Sequence, residues 1–284
     1  MSNQFNFIES KKQSMVENYR LMVASISPRP IAFVGSQDGK GNDNLAPFSF
    51  FNGFGANPPI VGFSPALSGK TGEPKDTLIN IKETKEFTIS VVNHDIANQM
   101  SLSSCDFASN IDEFEKAGLS KNPSKLIKPY GVFESPVIFE CKLMKIIELG
   151  GLPGSGNLIL GEILAFHVKK GIINEDGIVN EKDMDLIGRM GYGNYTHAPK
   201  SMFTIYKPKY LGVGYDAIPD KIKKTHYLTG NQLGKLASIN EVPINQKITS
   251  SLEEKELYQK CAEKIDNDDI LGAWQVVFQI MNNE

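Results

Sequence analysis

The chain has 284 residues, and its 30 basic and 33 acidic side chains give a formal net charge of −3. This balance creates no general basic surface for phosphate backbones, which argues against nucleic acid as a partner. Three cysteines stand far apart, with no CxxC pair and no histidine at ligand spacing, so a disulfide framework, a redox dithiol and a zinc site are all disfavoured.

The first residues, MSNQFNFIESKKQ, lack the apolar segment of a signal peptide. No uncharged apolar run reaches the length needed to span a bilayer. We therefore expect a cytoplasmic protein that does not enter membranes.

Short runs of β-branched and aromatic residues dominate the first two thirds of the chain and predict a β-barrel. The pair Asp38-Gly39 predicts a tight hairpin between the first two barrel strands. The runs, in chain order, are LMVASIS, PIAFVGSQ, APFSFF, PIVGFS, FTISVVN, PVIFECKLMKIIEL and LILGEILAFHVKK.

The aromatic run NDNLAPFSFFNGFGANPPIVGFSP, residues 42–65, is apolar on both sides of a predicted strand. One explanation is a central strand buried on both sides, followed by an extended connection, residues 57–59, into a second strand at Ile60–Ser64. The alternative is that the small and aromatic residues form a seat for a flat ligand.

Helical segments are predicted between the strands, in KDTLINIKETKE, HDIANQMSLSS and SNIDEFEKAGLS. After about residue 205 the composition changes to helix formers with helical spacing. We therefore expect a barrel domain at residues 1–205 and a helical extension at 206–284, packed on the barrel or on a dimer partner.

A cluster of polar residues, Lys75, Asp76 and Thr77, opens the first of these helices. Asp76 or Thr77 as the N-cap residue would explain it, but a helix N-terminus with a lysine and a hydroxyl is also suited to a phosphate. Arg29 lies between two prolines that stiffen its backbone, which suits a fixed anion or a surface ion pair.

Two glycine-rich segments do not have the pattern of a phosphate loop. SPALSGKTG lacks the first glycine of a P-loop, and GGLPGSG lies between two β runs, where it predicts a hairpin loop. IGRMGYGNYT, with Arg189 and Tyr192, is either the wall of a pocket or an ordinary surface loop.

Several segments in the same order resemble the flavin reductase-like family of FMN-binding split β-barrels. They are SPRPIAFVGSQDGKGNDNLAPFSFFNG, NPPIVGFSP, PKDTLINIKETKEFTISVV, ESPVIFECKL and GNLILGEILAFHV, within about residues 18–206. The family includes flavoredoxins and the reductase components of two-component monooxygenases. The resemblance implies a six-stranded type of split barrel with peripheral helices, FMN bound non-covalently, and a homodimer.

The same resemblance implies a set of FMN contacts. Lys75, Asp76 and Thr77, with Arg29, would hold the phosphate, and the NLAPFSFFN segment would border the ring and ribityl chain. The expected cofactor-binding residues are Arg29, Ala46, Pro47, Phe48, Ser49, Phe50, Ser64, Lys75, Asp76, Thr77, Arg189 and Tyr192. No metal is expected.

Asn157 departs from the family pattern, because many relatives carry a histidine in its place near the nicotinamide. Either Asn157 lies at the catalytic position, where an amide cannot titrate near neutral pH, or it only fixes the turn after GGLPGSG. We expect an NAD(P)H-dependent flavin reductase, and the resemblance allows that it is the reductase component of a two-component monooxygenase. The alternatives are a flavoredoxin-like electron carrier, acting with a redox protein partner, and a flavin-free binding module.

Overall fold

The computed structural model describes residues 4–205, 212–247 and 249–283. The chain divides into two compact units, Met1–Met202 and Phe203–Glu284. The boundary predicted after residue 205 adjoins residues 206–211, which lie outside the described part of the chain. No helix within the described ranges is long and apolar enough to cross a bilayer.

The first unit is built on antiparallel strands. They are β1 (Ala32–Gln37), β2 (Asp43–Phe48), β3 (Phe51–Ala56), β4 (Pro59–Phe63), β5 (Glu86–Val91), β6 (Lys121–Asn122), β7 (Gly131–Val132), β8 (Val137–Glu148), β9 (Asn157–Val168), β10 (Ile187–Arg189) and β11 (Tyr195–His197). Seven form one sheet in the order β2-β1-β5-β8-β9-β4-β3, while β6 pairs with β7 and β10 with β11. The aromatic run supplies three of the seven strands: β2 lies at one end of the order, and β4 and β3 lie at the other.

Helices accompany the sheet and make up the second unit. In the first unit they are α1 (Met15–Ser25), α2 (Asp76–Thr84), α3 (Ala97–Leu102) and α4 (Glu113–Ala117). In the second they are α5 (Asp220–Lys223), α6 (Gly230–Leu236), α7 (Glu254–Asp266) and α8 (Ile270–Asn282). The helical segments predicted between the strands and in the extension are therefore confirmed.

The sheet has an apolar cluster on each side, because successive side chains of a strand point to opposite faces. Phe33 of β1 packs in one cluster with Phe114 of α4. Its neighbours Ala32 and Val34 pack in the other cluster, with Ile81 of α2. The helices α2 and α4 are thus held against the two faces.

The predicted hairpin between the first two strands is confirmed, since β1 and β2 pair antiparallel. Asp38 Oδ1 accepts hydrogen bonds from the backbone N–H groups of Lys40 (2.9 Å) and Asn42 (2.8 Å). The left-handed backbone conformation falls on Gly41, with φ 88°. The Asp38 side chain thereby fixes the turn locally.

The aromatic run does not form a central strand buried on both sides, and this prediction is wrong. The backbone bends at residues 49–50, and β2 and β3 lie at the two ends of the sheet order. An outer strand leaves one hydrogen-bonding edge free, which is where Pro47, without an N–H, is tolerated. Phe48 contacts Phe63 of β4, with ring centroids 5.3 Å apart.

The sequence predicted an extended connection at residues 57–59, and this prediction is also wrong. Ala56 pairs directly with Pro59, so β3 and β4 form a hairpin with a tight turn, and the Asn57–Pro58 peptide is cis.

Residues 21–27, predicted as β-like, belong mainly to α1. The helix begins at a capping box, in which the Glu17 N–H donates to Ser14 Oγ (3.2 Å) and the Ser14 N–H donates to Glu17 Oε2 (2.8 Å). This start signal lies upstream of the apolar run and outweighs its β-branched residues.

The second unit has a core of its own. Leu257, Cys261 and Ile265 of α7 repeat at helical spacing and are buried with Trp274 of α8. Trp274 Nε1 donates a hydrogen bond to the carbonyl of Leu236 in α6 (3.0 Å). This bond joins α6 to the α7–α8 pair.

Candidate functional site

One cleft of the first unit gathers residues from segments far apart in sequence. The end of β2, the start of α2, the loop after α3 and the first residue of α4 line it. Six of the residues predicted to bind the cofactor lie here together: Ala46, Pro47, Phe48, Lys75, Asp76 and Thr77.

The start of α2 presents backbone donors to this cleft. The N-cap residue is Lys75, not Asp76 or Thr77 as the sequence suggested, and no side chain caps the helix. The first N–H groups of a helix have no intrahelical acceptor, and the helix dipole places partial positive charge at the same end. The start of this nine-residue helix is thus suited to an anion such as a phosphate.

Lys75 adds a full positive charge at the same position. Its Nζ lies 2.8 Å from Asp106 Oδ1, and this hydrogen bond lowers the pKa of Asp106. The Lys75 side chain is 47% exposed and that of Asp106 is 86% exposed. Exposed ion pairs contribute little net stability, so an incoming anion can replace Asp106 at a small cost.

A buried hydrogen-bond network fixes Thr77 beneath the cleft. Asn44 Nδ2 donates to Thr77 Oγ1 (2.9 Å) and to Ser36 Oγ (3.1 Å), and Asn80 Nδ2 donates to the same Ser36 oxygen (3.2 Å). Because Thr77 accepts from Asn44, its own hydroxyl proton remains available for a ligand.

The free edge of β2 forms another wall. The Leu45 N–H donates to Glu113 Oε2 (2.9 Å), so this N–H points away from β1. Alternation then places the Pro47 nitrogen on the same free edge. Glu113 is buried, and burial raises the pKa of its carboxyl group.

Arg29 does not join the Lys75 cleft. The residue is 5% exposed, and its guanidinium is used within the chain, since Nη1 donates to the carbonyl of Val23 (2.6 Å), Nη2 to that of Met190 (3.0 Å) and Nε to Ser49 Oγ (3.4 Å). A guanidinium held in this way ties α1 to the 189–192 turn, and the geometry gives no support to the predicted phosphate contact.

Arg189 and Tyr192 line a second cavity with Arg29 and α1. Arg189 stacks over the Tyr195 ring at 4.5 Å and donates from Nη2 to the Tyr192 carbonyl (2.6 Å). Tyr192 has a left-handed backbone, with φ 56°. IGRMGYGNYT therefore does form the wall of a cavity, one that is distinct from the Lys75 cleft.

Phe50 and Ser64 do not line either of these cavities. The Ser64 N–H donates to the Phe50 carbonyl (2.9 Å), so the pair ties the bend after β2 to the end of β4. Ser49 likewise lines neither cavity, and its hydroxyl oxygen accepts a hydrogen bond from Arg29 Nε.

Asn157 lies at the first residue of β9 and is 5% exposed. Its Nδ2 donates to the Pro65 carbonyl (3.1 Å), and it does not line the Lys75 cleft. This bond favours the structural explanation of Asn157 over the catalytic one.

Several residues of the cleft were missed by sequence reasoning. Asn44 and Glu113 reach it only through the fold, and the hydroxyl-rich loop SSCDF could have been recognised by its composition. The missed lining residues are Asn44, Ser103, Ser104, Cys105, Asp106, Phe107 and Glu113.

We expect the free energy of unfolding of Glu113→Gln to rise relative to that of the wild type as the pH increases from about 4 to about 7. The raised pKa means that the folded state binds the proton more tightly than the unfolded state, so wild-type stability falls through this window. Glutamine keeps an acceptor for the Leu45 N–H but cannot ionise. Each unit of pKa shift corresponds to about 1.4 kcal/mol, measurable by denaturation at several pH values. A constant offset at all pH values, or the same trend in exposed Glu115→Gln, would contradict this.

We expect Asn157→Asp to lower the free energy of unfolding by about 1–3 kcal/mol, because the buried donor is lost and a carboxylate oxygen faces the Pro65 carbonyl. Flavin affinity should change little. Chemical denaturation and flavin titration measure the two effects, with the exposed Asn194→Asp as the matched control. Unchanged stability with a large loss of flavin affinity would place Asn157 at the site instead.

The family described as flavin reductase like domain matches residues 24–184. Nitrilotriacetate monooxygenase component B from Bacillus cereus is similar in structure, with 32% identity and a TM-score of 0.67 over 72% of this chain and all of that one. A flavin reductase with a split barrel domain from Shewanella frigidimarina matches with 24% identity and a TM-score of 0.60, over 69% of this chain and 95% of that one.

Flavoredoxin of Desulfovibrio vulgaris has a similar fold, with 22% identity and a TM-score of 0.55 over 63% of this chain and 90% of that one. The predicted split-barrel fold and the resemblance stated from the motifs are confirmed by these matches. More than half of the chain lies within the matched region. The chain belongs to the flavin reductase-like family.

Proposed function

We propose that the protein is an FMN-dependent oxidoreductase that transfers hydride from NAD(P)H to the flavin. The observation that carries this proposal is the Lys75 cleft, in which an uncapped helix N-terminus and a lysine lie beside the aromatic wall at the end of β2. A phosphate end and a flat apolar end in one cleft are the two features that an FMN molecule requires.

The residues present fit FMN. Lys75, the first N–H groups of α2 and the hydroxyl of Thr77 would hold the phosphate, as charge-assisted and neutral donors. Phe48 and the free edge of β2 would border the ring. When bound, FMN supplies the hydride-accepting and electron-exchanging chemistry.

The protein's own contribution would be to hold the flavin and to orient it. Phe48 is fixed against Phe63, which in turn contacts Phe87 with ring centroids 5.5 Å apart. Asn44 fixes the position of Thr77. A wall held by such packing orients a flat ligand without reorganisation, which is how positioning accelerates a transfer between two bound reactants. No side-chain acid or base is needed for a hydride transfer.

A second candidate is an electron carrier that exchanges electrons with a protein partner. It is favoured by one observation: no histidine lines the Lys75 cleft within the described residues, and Asn157 is held elsewhere. The similarity to a monooxygenase component from Bacillus cereus supports instead a reductase that supplies a monooxygenase. A homodimer would suit either role.

We expect Lys75→Gln to weaken FMN binding about tenfold or more and to leave riboflavin binding unchanged, because a hydrogen bond to a charged group contributes about 1.5–3 kcal/mol. Lys82→Gln is the matched control, since Lys82 lies on the same helix, is 48% exposed and is also ion-paired. Fluorescence titration measures both affinities. Equal affinities of the wild type for FMN and riboflavin would rule out the phosphate site.

We expect the FMN-loaded protein to be bleached by NADH or NADPH under anaerobic conditions. Stopped-flow absorbance with each nucleotide distinguishes the two candidates, because a carrier binds FMN but is not reduced by either. Free FMN mixed with the same nucleotides is the control for the uncatalysed reaction. Tight FMN binding without reduction would contradict the reductase proposal and favour the electron carrier.

A further inference from the structure

A cluster of histidine and aspartate side chains lies where the chain leaves β5 and meets the segment before β10. The backbone N–H of His94 donates to the Asp185 carbonyl (2.9 Å), and Asn93 forms a bridge with Leu186. These backbone contacts hold the two segments together before any side chain is considered.

Three side chains of this cluster can reach one metal ion. A ring nitrogen of His94 and carboxylate oxygens of Asp95 and Asp185 all lie within 4.8 Å of one another. His94 and Asp95 are exposed, and no described residue forms a hydrogen bond or ion pair with their side chains. The exposed Asp95 side chain can rotate the remaining distance to the ligand separation of a metal site at low cost.

The third carboxylate is already oriented. His197 Nε2 lies 2.5 Å from Asp185 Oδ1, and the His197 ring stacks on that of His94, with centroids 4.5 Å apart and an angle of 17°. Ligating carboxylates are commonly held in this way by a hydrogen bond to their second oxygen. His197 thus leaves the other oxygen of Asp185 free to bind.

One ring nitrogen of His197 has no hydrogen-bond partner among the described residues. This atom, Nδ1, is buried, and the same holds for Oδ1 of nearby Asn93, which also lacks a partner in the described part of the chain. Unpaired buried polar atoms are uncommon and mark a place where an ion, a water molecule or a small movement completes the structure.

We propose that His94, Asp95 and Asp185 bind a divalent transition-metal ion of the Zn²⁺ class, with His197 as the positioning residue. One imidazole and two carboxylates suit Zn²⁺ and its neighbours, whereas Mg²⁺ and Ca²⁺ prefer all-oxygen sites. Three protein ligands leave further coordination positions for water. The site is independent of the flavin cleft and of the proposed reaction.

Such an ion would cross-link the segment before the β10–β11 hairpin to the segment that follows β5. Asp185 lies one residue beyond the region matched by the family, and His197 lies further along. The hairpin carries Arg189 and Tyr192, which line the second cavity. The ion would therefore act on the geometry of that cavity.

The test uses the full chain, treated with a chelator, dialysed and titrated with Zn²⁺ by calorimetry and thermal denaturation. We expect one ion per chain, a dissociation constant on the order of 1 µM and a raised melting temperature. Asp95→Asn and His94→Gln should each weaken binding about tenfold or more, while folding without metal stays intact. His226→Gln and Asp176→Asn, both exposed and outside the cluster, are the controls.

Binding of Co²⁺ gives a second readout, because its visible absorption reports nitrogen and oxygen coordination. The spectrum should appear with the wild type and be lost with His94→Gln. Millimolar or non-saturable Zn²⁺ binding overturns the proposal. So does unchanged binding in both cluster variants, equal losses in the control variants, or a Mg²⁺ response as strong as that to Zn²⁺.

Discussion

The hydrogen bonds of Asn44 are the interaction on which the cleft depends. From β2 this one amide reaches Thr77 at the start of α2 and Ser36 of β1, and Asn80 returns from α2 to the same serine. Buried polar groups that satisfy one another allow few alternative arrangements, because leaving one unpaired costs about 1–3 kcal/mol. The distance between the start of α2 and the aromatic wall is therefore set by hydrogen bonds within the chain.

Features with a local cause were predictable from the sequence. Asp38 fixes its own turn, and the long strands β8 and β9 carry continuous β-forming residues. The polar residues at positions 75–77 indicate the start of a helix. The order of several such segments was sufficient to recognise the family. The helix α1 could also have been found, because Ser14 and Glu17 form a complete start signal that the β-branched residues after it obscured.

Features that depend on contacts between distant segments were not predictable. An apolar strand at the edge of a sheet can have the same residue composition as one in its centre. The position of β2 in the sheet could therefore not be deduced from Phe48 and its neighbours. Arg29 is held by carbonyls from α1 and from residue 190. The cluster of His94 and Asp185 has no signature in the spacing along the chain, because the fold brings two distant segments together.

Pro47 bears on the tendency of the sheet to pair with strands of other molecules. A sheet that ends in a free strand offers a row of donors and acceptors to any other extended chain, which is a common route to aggregation. Pro47 removes a donor from that row on β2, and at the other end of the sheet a register shift between Gly53 and Gly55 makes the pairing of β3 with β4 irregular. Both features disfavour growth of the sheet by strand addition at its two ends.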